Sequence, residues 1–475
     1  MLPRPVRTAT VFGRLDAWRA GLARVGVEVR DAGADVEADL AVAPAELAEA
    51  AAASGATAVI VEGRGTRPLV RAGYHPMRLL LRPARETAAL VLPLDQPVAT
   101  TYAIENWSLI DRRWKRARML AAAALARRGR LPALPGSVVS VGVRDPDPPL
   151  VIAAAAEHGV AADGGWVLTL GQGDALSRNV FHVFPPRAEE PRWIVKFARV
   201  PGFVDPFDRD QRGLELVASG GAAVAAHAPR LLARLTVEGL EVSLETAAVG
   251  RRLREILLEP GRRAPKTELV EQVASWITEF GFATRRSAEE LTRERRRLVD
   301  EIVPQWTRFG VDAAIVPYVP LPAVAQHNDL GSWNVVVSSS SFTVVDWETA
   351  TPVGLPLWDL LYFLADALVL VDGTTALERR PAAVARLFRG EAPSSPLLFS
   401  LLRDAVAAFS VPEAAVGPIA TLCWLHHSLS GPVRDDELEL WTPGQRRPPH
   451  TFEGIAEAWL ADPALGPGWN RWQAR

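Results

Sequence analysis

The stretch that decides the fold reads Gln326-His327-Asn328-Asp329-Leu330-Gly331-Ser332-Trp333-Asn334-Val335-Val336-Val337. Four serines follow at 338–341, then Phe342-Thr343-Val344-Val345-Asp346-Trp347-Glu348. Two apolar, β-branched runs flanking the serines spell a β-hairpin. A turn centred near Ser340 sets Asn334 and Asp346 at equal distances from it. The two are therefore expected to face each other, roughly 4.5–5.5 Å apart. An amide oxygen and a carboxylate at that separation can share Mg²⁺, a hard ion that takes oxygen ligands. Asp329 lies upstream on a loop, where a carboxylate can orient a hydroxyl and accept its proton as it attacks a γ-phosphoryl group. His327 is expected to brace this loop by hydrogen bonding to backbone or to the Asp-bearing turn. Taken singly, His327 reads as a structural histidine and Asp329 as a loop cap; the joint pattern points to a site.

The segment resembles the aminoglycoside phosphotransferase and choline-kinase-like group, relatives of the protein kinases. Their loop pattern H-x-D-x-x-x-x-N is met by His327, Asp329 and Asn334, and their metal-binding Asp by Asp346. Pro356-Leu357-Trp358-Asp359 is similar to the helix start that follows in that group, with Asp359 expected to cap the helix. The resemblance covers roughly residues 165–440 and is densest over 327–359. It implies an α+β, two-lobed kinase-like fold with an antiparallel-sheet first lobe and a mainly helical second lobe. It also implies ATP and Mg²⁺ as cofactors and a small-molecule hydroxyl as acceptor: a sugar, a glycan precursor or an amino alcohol. Two departures stand out. The loop lacks the Arg of protein kinases, and the second acid of the frequent Asp-x-Asp pair is Glu348, whose metal role stays open.

Such a fold requires a lysine on the third strand of its sheet and a glutamate on the next helix. Lysine occurs only at 115, 196 and 266, and Lys196 sits within the strand-like Trp193-Ile194-Val195-Lys196-Phe197. An unpaired ammonium buried there would be costly, so a phosphate or carboxylate partner is expected. The competing reading is an edge-strand lysine reaching for water. Glu215 is the expected partner, against the alternative of a solvated helix acid. Gly171-Gln172-Gly173-Asp174-Ala175-Leu176-Ser177 occupies the place of a phosphate-covering loop: Gly171 and Gly173 permit close backbone approach and Ser177 offers a hydroxyl. Two glycines equally suit an ordinary hairpin, and no Walker A pattern exists. The segment from Glu245 to Arg251 resembles the hinge between lobes. Backbone groups of Glu245 and Ala247 are expected to hold the adenine edge; a plain strand-to-helix connection is the alternative.

Working outward, 475 residues with 48% hydrophobic and 23% charged content suit two or three globular units. Residues 1–145 alternate strand-like and Ala-rich helical runs and are expected to form a small α/β domain of unassigned role. A boundary in the Pro-rich segment near 145 would precede a nucleotide-binding lobe over 146–250 and a helical lobe over 251–475. The basic run 112–118 could meet an anionic ligand or simply be a solvated helix. Trp424, His426 and His427 form an aromatic-polar cluster of which at most one histidine could line the acceptor site, core or surface packing being the favoured reading for both. No Cys/His pair has zinc spacing.

A formal net charge of −2 gives no field to recruit nucleic acid. The single cysteine, Cys423, excludes a disulfide framework and suits a reducing cytoplasm. Neither a secretory signal nor a transmembrane segment is read, so a cytoplasmic location is expected. The leading expectation is phosphoryl transfer to a small molecule. Its rivals are a catalytically idle kinase fold used for binding, and an N-terminal enzyme with an accessory kinase.

Overall fold

The computed structural model describes residues 2–473 apart from 3, 25, 33–37, 64, 84–87, 108–112, 129–135, 162, 172–177 and 438–450. The chain forms two compact units. Of the described residues, one comprises those within 2–107, 113–207 and 230–249, the other those within 208–229 and 250–473.

The first unit is built on a single sheet. Its elements run β1 (Thr8–Val11), α1 (Asp16–Arg24), β2 (Glu28–Asp31), β3 (Leu40–Pro44), α2 (Ala48–Ala53), β4 (Ala58–Glu62) and α3 (Thr66–Arg71). There follow β5 (His75–Arg82), β6 (Leu90–Pro93), α4 (Pro97–Asn106), α5 (Arg113–Arg127), β7 (Ser137–Val143) and α6 (Leu150–Ala156). The last strands are β8 (Trp166–Thr169), β9 (Asn179–Val183), β10 (Trp193–Phe197), β11 (Leu231–Val237) and β12 (Leu240–Thr246). Their spatial order is β11-β12-β10-β9-β8-β6-β5-β7-β4-β3-β1-β2. Strands β1 to β4 pair in parallel, and the remaining pairs are antiparallel. Strands β3 and β4 are unbroken apolar runs because both of their faces are covered. Ala41, Ala43, Val59 and Val61 pack with α2, while Leu40, Val42, Ala58 and Ile60 enter the larger core.

That larger core corrects the expected boundary at 145. It runs without a break from Val11 through Val151 and Ile152 of α6 to Val195 and Leu244. Strand β6 joins β8 through Leu90↔Thr169 and Val91↔Leu168. Strands β5 and β6 make the N-terminal sheet continuous with β8–β12. Residues 208–229, expected with the nucleotide-binding strands, fall in the second unit.

The second unit holds α7 (Asp205–Ser219) from residue 208 onward, then α8 (Ala222–Ala225), β13 (Arg251–Arg252), α9 (Leu253–Leu258), α10 (Arg263–Ala283) and α11 (Leu291–Arg297). Four short strands follow: β14 (Val324–Gln326), β15 (Val335–Val337), β16 (Phe342–Val344) and β17 (Thr351–Gly354). Helices α12 (Trp358–Val371), α13 (Arg380–Arg389), α14 (Ser395–Phe409), α15 (Glu413–Glu437) and α16 (Thr451–Ala461) complete it. Helix α12 is buried on every side from Trp358 to Leu370, as its nearly all-apolar sequence requires. No single helix among the described residues is long and apolar enough to cross a membrane.

Helix α7 docks on the segment after the hairpin. The Trp347 N–H donates to the buried Asp210 carboxylate at 3.1 Å, and a Cβ on Gly213 would lie 2.2 Å from the Trp347 carbonyl oxygen. Gly213→Ala is therefore expected to destabilise the protein by about 1–3 kcal/mol, the usual range for overpacking. A thermal melt reads this directly; an unchanged Tm would contradict the close approach.

Candidate active site

The hairpin forms, in a register different from the one expected. Val335 pairs with Val344, Val336 with Thr343 and Val337 with Phe342. The midpoint thus lies between Ser339 and Ser340, and Asn334 faces Val345, whose N–H donates to the Asn334 carbonyl at 2.9 Å. A one-residue shift reverses which face a strand residue presents. Asp346 lies just beyond the ladder, where its backbone turns left-handed at φ +71° and leads into the turn Trp347–Thr349. Asn328 (φ +65°) and Leu357 (φ +74°) adopt the same uncommon conformation. Three non-glycine residues of this kind around one loop are backbone strain held by the surrounding contacts.

Those contacts come largely from α12. The Asp359 carboxylate accepts the N–H groups of His327 (2.6 Å) and Asn328 (3.0 Å). Asp359 therefore pins the loop instead of capping its own helix, which corrects the capping expectation. Seven residues on, Asp366 accepts the Ser332 N–H at 3.0 Å and the Ser332 hydroxyl, and forms a buried ion pair with Arg380 at 2.8 Å. Between them, the Tyr362 hydroxyl donates to Asp329 Oδ1 at 3.2 Å. Positions 359, 362 and 366 share one helical face. Polar residues at that spacing in an otherwise apolar helix were the available signal for this bracing face, and sequence reasoning did not use it.

His327 is fully buried and bonds on both sides. Its Nε2 donates to the Val345 carbonyl at 3.0 Å and its Nδ1 accepts the Asp329 N–H at 3.3 Å, which assigns the ring proton to Nε2. It ties the loop to the Asp346 turn and has no contact with solvent.

Asp329 is the convergence point. Its Oδ2 accepts from Asn334 Nδ2 at 3.0 Å and from the Trp333 indole at 3.4 Å; Asn334 Nδ2 also donates to the Asp329 carbonyl at 2.8 Å. Burial lifts the Asp329 carboxyl above the usual carboxylate range. Repulsion from Asp346 adds to this, and the bonds from Trp333 and Tyr362 oppose it.

With Nδ2 committed to Asp329, the Asn334 amide presents its carbonyl oxygen as a hard ligand, as the Asp346 carboxylate does. Oxygen donors of this kind are the ones Mg²⁺ takes, together with substrate phosphates. Among the described residues no cluster of three or more His, Cys, Asp and Glu side chains is placed to hold a metal. Glu348 is half-buried in the turn after Asp346.

In the first unit, Lys196 is mostly buried and pairs with Glu245 at 2.7 Å. The expected partner, Glu215, is exposed on α7 and accepts from Gln211 at 2.8 Å. The sheet register explains the correction. Ile194 pairs with Glu245 and Lys196 with Ser243, so Glu245 is the diagonal same-face neighbour that a long side chain reaches. Glu245 thus enters through its side chain, where a backbone role was expected. The Ala247 N–H is committed to the Arg192 carbonyl at 3.0 Å. Gly171 follows β8; Gly173 and Ser177 lie outside the described residues.

A cleft of about 1030 Å³ opens beside the loop in the second unit, lined among others by Asn328, Thr351, Trp358, His426, Glu294 and Glu301. The two adjacent histidines separate as helix geometry requires. His426 stacks on Trp358 with ring centroids 5.1 Å apart, and burial pushes its pKa down to about 3. His427 packs against the Tyr362 ring at 4.1 Å, and burial drives it well below the usual histidine range.

Residues 168–394 match the model of the phosphotransferase enzyme family, APH. Among solved structures, a glucosamine kinase in complex with glucosamine, ADP and inorganic phosphate aligns at 15% identity and a TM-score of 0.35, covering 61% of this chain and 79% of its own. A second glucosamine kinase crystal form gives 15% and 0.36, covering 63% and 82%. The protein WbdD gives 12% and 0.27, covering 85% and 84%. No curated protein sequence matches the chain.

Proposed function

We propose, from the match of residues 168–394 to the phosphotransferase enzyme family model and from the loop geometry, that the protein is an ATP-dependent small-molecule kinase that transfers the γ-phosphoryl group to a hydroxyl. The observation that carries this reading is the Asp329 carboxylate, held by Asn334 and Tyr362 and made more basic by burial. Asp329 orients the acceptor hydroxyl and takes its proton as the oxygen attacks phosphorus. The bond from the γ-phosphorus to the bridging oxygen of ADP breaks, and ADP leaves. Asp359, Asp366 and Tyr362 hold the loop in the geometry this requires. Lys196, oriented by Glu245, meets the phosphates.

Asn334 Oδ1 and the Asp346 carboxylate would hold Mg²⁺, with Glu348 as a further acid nearby; the ion supplies neutralisation of phosphate charge. The acceptor, a polyhydroxylated molecule such as a sugar, glycan precursor or amino alcohol, enters the cleft beside Asn328. Cys423 is buried and forms no disulfide, the usage of a reducing cytoplasm, where we place the enzyme.

Calorimetric titration tests the nucleotide and metal assignment. Wild type is expected to bind ATP much more tightly with Mg²⁺ than without. Asp346→Ala is expected to lose that Mg²⁺-dependent gain while keeping its thermal melt. An undiminished gain in Asp346→Ala would remove Asp346 as a metal ligand.

A further inference from the structure

We propose that Trp107 and His182 form the wall against which the base of the nucleotide lies, so that the N-terminal segment builds part of the nucleotide site. This rests on the reading of the protein as a nucleotide-dependent kinase, and follows from which face of the sheet each side chain occupies. Strand residues alternate faces, and directly paired residues share one. Lys196 pairs with Val180, and Ile194 with His182; His182 in turn pairs with Val167 on β8. Lys196, Ile194, His182, Val180 and Val167 therefore share the face that carries the Lys196–Glu245 pair. The opposite face, with Phe181, Val183, Val195 and Leu244, is sealed in the core and cannot receive a ligand.

Trp107, immediately after α4, lies on the ligand-accessible face. Its ring meets His182 with centroids 4.6 Å apart and planes tilted by 56°, and Tyr102 supports it edge-on at 5.7 Å. Both Trp107 and His182 are only half-buried, so aromatic surface remains open. Beside them runs a groove of about 610 Å³ lined by Arg192, Thr246, Ala247 and Val249, a volume in the range of small-molecule sites. Val249 belongs both to this groove and to the apolar cluster that includes Trp107 and Val167. His182 lies one strand over and two residues along from Val180, the partner of Lys196, a diagonal of roughly 7–8 Å. A nucleotide with its phosphates at Lys196 spans that separation and brings its base to the Trp107–His182 wall.

Aromatic stacking accepts any base, because every base has a π-face. ATP and GTP are therefore both expected to depend on this wall, and inorganic triphosphate is not. The test is titration of the full chain with ATP, GTP and inorganic triphosphate in the presence of Mg²⁺, for wild type and Trp107→Leu. The substitution keeps an apolar group but removes the ring. Affinity for both nucleotides is expected to fall about ten- to a hundredfold with triphosphate affinity unchanged, and Trp107→Phe is expected to restore most of the loss. His182→Leu is expected to show the same split and serves if Trp107→Leu fails to fold. Nucleotide affinity equal to wild type in the folded variants overturns the proposal. Tighter nucleotide binding in Trp107→Leu also overturns it, since the ring would then fill the base position instead of lining it. A wild type that binds neither nucleotide nor triphosphate overturns the kinase reading beneath it.

Discussion

Asp329→Asn is expected to lower kcat for phosphoryl transfer by about two to four orders of magnitude, the usual contribution of a positioned general base. Asn is nearly isosteric, so the loop keeps its anchors at Asp359 and Asp366 and nucleotide affinity should hold. What disappears is the group that takes the proton. The same burial that raises this carboxyl gives two pH signatures. In wild type, kcat/KM should fall on the acid side as Asp329 becomes protonated, with its midpoint above the ordinary carboxylate range. The folded state also binds this proton more tightly than the unfolded chain. The stability due to Asp329 is thus fully present below its unfolded pKa and is lost as pH rises through its folded pKa. Asp329→Asn should then melt no lower than wild type at neutral pH while being far less active. A variant with low activity and a collapsed Tm would mean that Asp329 serves the fold and not the chemistry.

The second large effect is expected at Lys196. Its side chain and that of Glu245 are 12% and 2% exposed, with the charges 2.7 Å apart. Lys196→Met takes away the cation paired with the buried Glu245 carboxylate, and breaking a buried pair in this way costs about 3–5 kcal/mol. Lys196→Met/Glu245→Gln removes both charges and should recover most of that stability. Phosphate recognition should not recover with it. The expected pattern is a low Tm for the single variant, a near-wild-type Tm for the double, and weak ATP and triphosphate binding for both. ATP binding restored in the double variant would show that the pair supports the sheet alone.

The sequence made some of this legible for identifiable reasons. The hairpin over 335–344 was readable because two β-branched triplets flank a polar turn; its register was not, because four consecutive serines carry no mark of the midpoint. The parallel strands β3 and β4 announced themselves as continuous apolar runs. Strand β5 did not: His75-Pro76-Met77-Arg78-Leu79-Leu80-Leu81-Arg82 shows no period-2 alternation and contains a proline. Missing β5 and β6 placed a domain boundary where the sheet is continuous. Lys196 stood out because lysine is rare in this chain, yet its partner depended on the pairing of β10 with β12, a non-local fact. Glu215 lies on the helix expected of it, yet it is exposed and bonded to Gln211, and the strand residue Glu245 takes the pair with Lys196. In α12, Asp359 and Asp366 were visible as polar breaks in an apolar helix, and only the tertiary structure turns them into anchors for the loop.

The most direct test of the account is to incubate the enzyme with ATP labelled at the γ-phosphate, Mg²⁺ and a panel of sugars, glycan precursors and amino alcohols, and to follow the label. Wild type is expected to move the label onto the hydroxyl of at least one acceptor with equimolar ADP release. Asp329→Asn, folded and still binding ATP, should transfer it at least about a hundredfold more slowly. Transfer by Asp329→Asn at the wild-type rate would contradict the central claim.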